Sequence, residues 1–445
     1  MSTVDILHHK KTINAWCMYD WANSVYNLVI TTTFFPIYFA SITKSAYGES
    51  SVPFLGRMFK NTALYDYSLA AAYLVIAIML PVLSSIADSR GNKKKFMQFF
   101  CYLGGVSCMA LFWFKGPEPS IIVGIGFFML AAIGYVGSLV FYNSYLPEIA
   151  EPEKRDWISA RGFSMGYAGS VILQLVGFGL VVYFSAHGDQ TSGPRYTFLL
   201  VGLWWIGFAQ ITFAHLPDNR PSQTKRLNEI LRAGFFELKK VWDQVKQLKL
   251  LKWFLVAFFC YSMGVQTVML AATLFGSQML GLPDDKLIIT VVLIQLVAIP
   301  GAMLMSFLSG KFGNILVLMG VVFFWILVCL SAYAVASLKE GGTNVEFHFY
   351  GLALAVGLVM GGIQSLSRST YSKLMPVTKD TASFFSFFDV TEKIAIVIGI
   401  FAFGYIDELF GMKNSVLMLI VFFVLGLLAL MRAKSHETAN QHPNA

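Results

Sequence analysis

Long runs of apolar residues, separated by short polar stretches, occupy almost the whole chain. A helix of about 20 apolar residues spans the roughly 30 Å hydrocarbon core of a bilayer. Runs of that length predict twelve transmembrane helices, which lie at residues 14–42, 63–86, 96–114, 121–146, 158–184, 196–215, 252–279, 287–309, 315–337, 348–374, 382–406 and 413–432. The pattern therefore predicts an all-α polytopic membrane protein.

One long polar segment, residues 216–251, divides the predicted helices into two sets of six. We therefore predict an N-terminal six-helix bundle at residues 1–215 and a C-terminal one at residues 252–445, which ends in a short tail. Within the polar segment, apolar residues recur at helical spacing, and they are Leu227, Leu231, Leu238, Val241, Trp242, Val245 and Leu248. This spacing, with Lys and Arg on the other side, predicts an amphipathic linker helix on the inner membrane face.

The distribution of basic residues predicts the orientation of the helices. With both termini in the cytoplasm, 22 of the 33 Lys and Arg residues lie in inner loops and tails and eight lie in outer loops. This asymmetry follows the positive-inside rule, so it accounts for the net charge of +8 without a nucleic-acid partner. The composition, 56% hydrophobic and 13% charged, excludes a soluble globular protein. We expect a multi-pass integral membrane protein.

Cysteine and histidine give no indication of a metal site or a cofactor. All five cysteines fall in apolar runs, and they form neither a C-x-x-C motif nor a cluster with histidine. The seven histidines lie in tails or near the ends of predicted spans. Because no Ser/His, paired Asp or metal-ligand arrangement lies at a common depth, we predict that the protein is not an enzyme.

The first predicted span carries an unusual set of polar residues. At about 100° per residue, Asp20, Asn23, Ser24 and Asn27 share one face of this helix, and the opposite face is apolar. A charged group within a span costs about 2.5 to 3.5 kcal/mol on translocon scales, so it is expected to be paired or to face water. We predict that this face lines a central cavity, and that Gln266, on a parallel stripe of the seventh span, faces the same cavity.

Spans ten and eleven carry polar residues of the same kind. Gln364, Arg368 and Tyr371 fall within one arc of span ten, where they are expected to line a groove. In span eleven, Asp389 lies four residues before Lys393, which is the favourable order for an ion pair within a helix. At 1.5 Å per residue, Lys393 lies roughly 16 Å inside the cytoplasmic boundary, near the midplane.

Two interpretations of the buried charges compete. In the first, Arg368 or Lys393 binds the carboxylate of a solute, and Asp20 or Asp389 binds its amine or carries a coupling proton. In the second, Asp20 and Arg161 of the first half, with Arg368 and Asp389 of the second, form ion pairs that close a cytoplasmic gate. The depth of Lys393 favours a binding role for that residue.

A tight turn follows the second predicted span. Asp88 and Gly91 precede a basic run that begins at Lys93, and glycine allows a positive φ in such a turn. The stretch resembles the loop signature of the major facilitator superfamily, and the resemblance implies that Asp88 helps to latch a closed inner gate. The weakly repeated loop after the eighth span has Gly310 where an Asp is expected.

Three further stretches make the resemblance more specific, and they are Tyr19–Ser24, Gly361–Ser369 and Phe384–Lys393. Together they resemble the branch of the superfamily that is related to the fungal autophagy vacuole effluxers, whose bacterial members form the unknown-major-facilitator family. This resemblance implies twelve spans in two bundles and, by analogy with the fungal members, export of neutral amino acids. The bacterial members imply a location in a bacterial inner membrane.

We therefore expect a secondary transporter that moves a small zwitterionic solute, such as an amino acid, by alternating access, with export as its direction and a proton as its coupling ion. The expected partners are the solute, the proton and the lipid bilayer, and we expect a monomer that binds no nucleic acid. One alternative is an exporter of hydrophobic compounds or drugs, which the many Phe and Met residues would suit. The other is a membrane sensor that keeps the fold without transport.

Overall fold

The computed structural model describes residues 3–48, 51–116, 120–218 and 227–441. The elements of the first half are α1 (Thr3–Val25), a π-helical segment (Tyr26–Phe34), α2 (Phe35–Tyr47), β1 (Ser51–Phe54), β2 (Arg57–Lys60), α3 (Asn61–Arg90), α4 (Lys93–Ala110), α5 (Ser120–Ser144), α6 (Leu146–Ile149), α7 (Arg155–Ala186) and α8 (Ser192–His215). Short 3₁₀ turns follow α4 and precede α7.

The remaining elements are α9 (Leu227–Gln247), α10 (Lys249–Leu274), a second π-helical segment (Phe275–Met279), α11 (Asp284–Phe312), α12 (Asn314–Glu340), α13 (Glu346–Leu374), α14 (Thr381–Phe410) and α15 (Met412–Gln441). Apart from the β1–β2 hairpin, the regular structure of the described residues is helical, as the apolar runs predict.

Eleven helical segments within the described residues are long and apolar enough to cross a membrane. The protein is therefore an integral, multi-pass membrane protein. The helix that corresponds to the eleventh predicted span, α14, has 30 residues but carries Asp389, Glu392 and Lys393 near its middle. Its passage through the membrane, the total of twelve spans and the cytoplasmic position of both termini stay predictions.

The chain forms two compact units. The first comprises Met1–Tyr145, Met165–Phe235 and Lys379–Phe385. Within it, α1 packs along α8, α4 lies against α5 and α8, and α3 lies against α5. Two side chains of α8 fix α1 through its backbone: Thr212 Oγ1 donates to the Ala15 carbonyl at 2.7 Å, and Trp204 Nε1 donates to the Trp21 carbonyl at 3.1 Å.

The second unit comprises Leu146–Ser164, Phe236–Thr378 and Ser386–Ala445. Within it, α11 packs along α13, and both α10 and α12 pack along α15. Each unit takes part of α7 and part of α14, because residues 155–164 and 386–410 belong to the second unit and residues 165–186 and 381–385 to the first. The predicted division into bundles at residues 1–215 and 252–445 stays a prediction.

The close approach of α11 and α13 depends on glycine. A Cβ atom at Gly361 would lie 2.3 Å from the Ala298 carbonyl oxygen, which belongs to the backbone and cannot rotate away. Replacing Gly361 with alanine is therefore expected to destabilise the protein by about 1 to 3 kcal/mol. Gly351 is the matched control, because it lies in the same helix and a Cβ there meets no atom within 4 Å. Thermal unfolding in detergent is expected to show a lower midpoint for Gly361→Ala only, and equal midpoints would contradict this packing.

The first span contains a π-helical segment with a local cause. Pro36 follows this segment and cannot donate a backbone hydrogen bond. The Phe35 amide donates to the Ile30 carbonyl, five residues back. The hydroxyls of Thr32 and Thr33 both donate to the Leu28 carbonyl, at 2.8 and 2.9 Å. A second π-helical segment ends the seventh span, and such segments are common at functional sites.

Helix α9 forms within the predicted linker. Val241 and Val245 are buried, and the ring of Trp242 stacks on Phe387 of α14 with centroids 6.0 Å apart. Part of the apolar face of this helix therefore contacts protein, in addition to the membrane contact that its spacing predicts. Residues 219–226 of the predicted linker lie outside the described residues.

Candidate functional site

Asp88 caps the first turn of α14. Its carboxylate accepts hydrogen bonds from the backbone amides of Ala382 at 3.2 Å and Ser383 at 2.8 Å, and from the Ser383 hydroxyl at 2.8 Å. The first amides of a helix have no partner within the helix, and the helix dipole favours a negative charge at this end. Lys93 lies 3.4 Å from the same carboxylate and donates to the Thr381 hydroxyl. Asp88 thus binds a buried lysine and a helix N-terminus together.

The turn that presents Asp88 has the geometry that the sequence predicts. Gly91 ends α3 in the left-handed region, with φ of 67°. The Asn92 amide donates to the Ala87 carbonyl at 3.1 Å, which closes the turn. The prediction of a positive φ at Gly91 is confirmed, and its role in a gate stays a prediction.

A second buried carboxylate lies in the first turn of α7. Asp156 accepts hydrogen bonds from Ser309 at 2.9 Å and Asn314 at 2.7 Å, and Lys373 lies 2.5 Å away. By repetition of the Asp88 loop, an acid is expected in the loop after α11, but Gly310 occupies that position. In the structure this loop provides the hydrogen-bond donors, and the carboxylate comes from α7.

Two arginines join the start of α7 to α13 within the second unit. Arg155 Nη1 donates to the Ser372 carbonyl at 2.6 Å. Arg368 Nε and Nη2 donate to the hydroxyl and the carbonyl of Ser159, each at 2.9 Å. Because two nitrogens of its guanidinium bind one residue of α7, Arg368 fixes the position of that helix relative to α13.

Aromatic rings of α7 cover the guanidinium groups of two predicted site residues, Arg161 and Arg368. The Arg368 guanidinium lies over the Phe163 ring, 4.2 Å from its centroid, and the Arg161 guanidinium lies over the Trp157 ring at 5.3 Å. Such contacts stabilise a partly desolvated cation. Arg161 and Arg368 therefore both contact aromatic side chains of α7 itself.

Three charged residues of α14, namely Asp389, Glu392 and Lys393, lie beside Gln266 of α10, and we call these four residues the α14 cluster. The Lys393 ammonium lies 2.8 Å from Glu392 and 3.5 Å from Asp389, so the predicted pair four residues apart is present. Gln266 Nε2 donates to Glu392 at 3.0 Å. The second oxygen of Asp389 is buried and has no hydrogen-bond partner among the described residues. The cluster therefore combines two carboxylates with one ammonium.

The polar face of α1 lies within the first unit. The Tyr142 hydroxyl donates to the Asp20 carboxylate at 2.8 Å, and the Tyr142 ring stacks on Trp16 with centroids 4.4 Å apart. The Asn23 side chain is fully buried, and neither of its amide atoms has a hydrogen-bond partner in the described part of the chain. A buried unsatisfied amide costs about 1 to 3 kcal/mol, so a different conformation or a bound molecule would relieve it.

Ser24 and Asn27 have different surroundings. A Cβ at Gly166 of α7 would lie 2.3 Å from Ser24 Oγ, so this part of α1 packs closely on α7. Asn27 is half-buried. On α13, Gln364 Nε2 donates to a methionine sulfur of α10 at 3.1 Å, and Tyr371 is fully buried.

Within the described residues, no three His, Cys, Asp or Glu side chains come together in an arrangement that could hold a metal ion.

Comparison with known proteins places the chain in a family. Residues 8–156 and 150–442 match the family described as "Vacuole effluxer Atg22 like". The chain belongs to this family. The uncharacterized MFS-type transporter YxiO of Bacillus subtilis is 32% identical to it over 425 residues, which cover 94% of each protein. Autophagy-related protein 22 of Saccharomyces cerevisiae is 25% identical over 465 residues, covering 90% of this chain and 87% of the yeast protein.

The fold of this Atg22-like protein resembles that of a solved transporter. A bacterial homologue of the iron transporter ferroportin, crystallised in an outward-facing state, superposes with a TM-score of 0.69 at 13% identity, covering 96% of this chain and 99% of the homologue. At that identity the likeness shows the fold alone. The predicted membership of the major facilitator superfamily is confirmed. The relatives are transporters rather than enzymes, and the Bacillus relative is consistent with a bacterial inner membrane.

Sequence analysis missed three residues of these sites in the Atg22-like protein, namely Tyr142, Asp156 and Glu392. On an ideal helix Glu392 projects about 100° away from Lys393, but its longer side chain reaches the ammonium and the Gln266 amide. Asp156 resembles an ordinary acid in the first turn of a helix. The signal that could have identified it is Gly310, which stands where an acid is expected. The donors on either side, Ser309 and Asn314, then need a carboxylate from elsewhere in the chain.

Proposed function

We propose that this Atg22-like protein exports a small zwitterionic solute, such as an amino acid, by alternating access, with a proton as the coupling ion. The α14 cluster is the observation that carries the proposal, because it places one ammonium between two carboxylates on a helix predicted to cross the membrane. The description of the family as vacuole effluxers supports export as the direction.

A zwitterion carries the same two charges as the cluster. Its carboxylate would pair with Lys393, while its ammonium replaces that of Lys393 beside Asp389 or Glu392. Each buried charge then keeps a partner throughout binding. This avoids the cost of leaving a buried charge unpaired, which is about 3 to 5 kcal/mol. A sugar offers hydrogen bonds but no exchange of ion pairs. The cluster therefore favours a zwitterion over a neutral solute.

The other predicted cavity residues would complete the binding surface. Gln266 already donates to Glu392 and would orient that carboxylate. Asn23 has an unsatisfied amide, and Asn27 is half-buried on the same helix. Gln364 lies about one turn before Arg368 on α13, and Tyr371 lies about one turn after it. Arg368 itself binds Ser159, so we assign recognition of the solute carboxylate to Lys393 and a positioning role to Arg368.

The contacts of Asp88 and Asp156 are proposed to form the cytoplasmic gate. Each carboxylate lies at the start of a helix that contributes to both compact units, α14 for Asp88 and α7 for Asp156. Gly91 shapes the turn that presents Asp88, and Arg161 belongs to the same end of α7. Alternating access would require these hydrogen bonds to break and reform in each cycle.

An apolar cavity inside the second unit bears on the alternative of drug export. The cavity has a volume of about 60 Å³ and is lined by residues such as Val268, Phe275, Phe349 and Phe403. Pockets for drug-sized ligands have volumes of roughly 300 to 1,000 Å³. This cavity is too small for such a compound, but an open apolar groove of about 310 Å³ between α11, α12 and α13 lies within that range. Export of hydrophobic compounds therefore stays the alternative function.

Asp389 is the proposed site of the coupling proton, because its second oxygen is buried with no hydrogen-bond partner among the described residues. Asp20 is the second candidate. In proteoliposomes, Asp389→Asn or Asp20→Asn is expected to abolish amino-acid accumulation driven by a pH gradient. Exchange of labelled for unlabelled solute is expected to continue, because exchange moves no net proton. Asp243→Asn, in the exposed part of α9, is the control. Full pH-driven accumulation by both variants would exclude these two carboxylates.

A further inference from the structure

A two-stranded hairpin joins α2 to α3 in the first unit. Strands β1 and β2 pair antiparallel, with Val52 opposite Phe59. Leu55 and Gly56 form the connection, with φ of 49° and 77°, so both residues have the positive φ of a type I′ turn. This turn matches the twist of paired strands, so the hairpin keeps defined faces. Val52 is fully buried on one of them.

The hairpin packs on the side of α3 that is expected to face lipid. The Phe59 ring contacts the Tyr67 ring with centroids 6.5 Å apart. Tyr67 begins a stripe of exposed large apolar side chains that continues through Leu74 and Ile78, seven and eleven residues further along α3. In a helix that crosses a membrane, an exposed apolar stripe of this kind marks the lipid-facing side. The hairpin therefore lies at the rim of the unit, beside lipid.

The exposed residues of the hairpin are apolar and basic. Leu55 at the turn is 74% exposed and Met58 is 65% exposed. Arg57 and Lys60, on the same strand as Met58, are also exposed. Long basic side chains can keep their charge at the phosphate level while apolar neighbours enter the acyl boundary. This composition suits the interface of a bilayer.

We propose that the hairpin is a lipid-binding element, in which Leu55 and Met58 enter the boundary of the acyl chains and Arg57 and Lys60 bind the phosphates of anionic phospholipids. Continuity with the lipid-facing stripe of α3 favours the bilayer over a protein partner. The hairpin lies at the end of α3 opposite Asp88, so it would anchor the outer end of this helix. The proposal is independent of the solute.

Spin labels on the full-length protein in liposomes test the proposal. A nitroxide at Leu55→Cys, and separately at Met58→Cys, is expected to be more accessible to oxygen, which concentrates in lipid, than to a water-soluble nickel chelate. Thr343→Cys, in the exposed connection between α12 and α13, is the matched control and is expected to show the opposite preference. The unmutated protein, treated in the same way, corrects for labelling of its own cysteines.

Lipid composition tests the basic residues. In vesicles with phosphatidylglycerol, Arg57→Gln together with Lys60→Gln is expected to move the Leu55 label towards water, and in phosphatidylcholine vesicles the same change is expected to have no effect. The proposal is overturned if both hairpin labels show the accessibility of Thr343. It is also overturned if both labels are shielded from both reagents and their spectra are broadened by a second label nearby. A second copy of the chain would then cover the hairpin.

Discussion

Replacing Lys393 with methionine is expected to reduce transport of a zwitterionic solute by at least about 30-fold, since truncating one partner of a buried charge pair costs about 2 to 5 kcal/mol. The change removes the ammonium that lies 2.8 Å from Glu392 and 3.5 Å from Asp389. The two carboxylates then repel the carboxylate of the solute. Initial rates of uptake into proteoliposomes, compared at equal amounts of reconstituted protein, measure the loss.

Two further variants separate binding from folding. Lys413→Met removes a lysine that pairs with Glu340, whose side chain is 54% exposed, and it is expected to leave transport unchanged. Lys393→Met combined with Asp389→Asn and Glu392→Gln removes all three charges of the cluster, so it is expected to recover thermal stability without recovering transport. Uptake by Lys393→Met at the rate of the unmodified protein would contradict a binding role for this lysine.

Replacing Asp88 with alanine is expected to loosen the start of α14. The change removes three hydrogen bonds to Ala382 and Ser383 and leaves the Lys93 ammonium without its buried counter-charge, for which the expected cost is about 3 to 5 kcal/mol. A cysteine introduced at Ser386, which is fully buried in this structure, reports the change. Its rate of alkylation by a maleimide is expected to rise at least tenfold. A tenfold rise requires the open state to be favoured by only about 1.4 kcal/mol more than in the unmodified protein.

The control is Glu153→Ala, which removes an exposed acid from the connection before α7. It is expected to leave the alkylation rate at Ser386→Cys unchanged. Asp88→Asn keeps one acceptor oxygen and is expected to give an intermediate rate. If Ser386→Cys is alkylated as slowly in the Asp88→Ala protein as in the protein that keeps Asp88, the contact between Asp88 and α14 does not hold the gate closed.

The membrane helices could be predicted from the sequence because lipid requires long apolar runs, and such runs are visible without tertiary information. Local departures from a straight helix were not predicted. The π-helical segment before Pro36 depends on which carbonyls Thr32 and Thr33 reach. The hairpin at β1 and β2 is short, and a two-stranded hairpin needs contacts outside itself, such as that of Phe59 with Tyr67, to be stable. Both features depend on neighbours that a linear pattern does not identify.

The candidate site could be predicted where its contacts lie within one helix. Asp389 and Lys393 are four residues apart, so helical geometry alone brings them together. Contacts between helices could not be assigned in the same way. The sequence predicts that Asp88 lies just before a tight turn, but its partner Ser383, 295 residues away, is identified only by the tertiary structure. Asp156 shows the same limit, because four separate helices meet at its carboxylate.

Counterflow of amino acids in proteoliposomes tests the central claim most directly. Liposomes that contain the purified protein are loaded with unlabelled neutral amino acids, and entry of a labelled one is measured. We predict transient accumulation with the unmodified protein, none with Lys393→Met, and none for the corresponding amine that lacks the carboxylate. Failure to exchange any amino acid or dipeptide under any ion gradient, or equal exchange of the amine, would contradict recognition of a zwitterion by the α14 cluster.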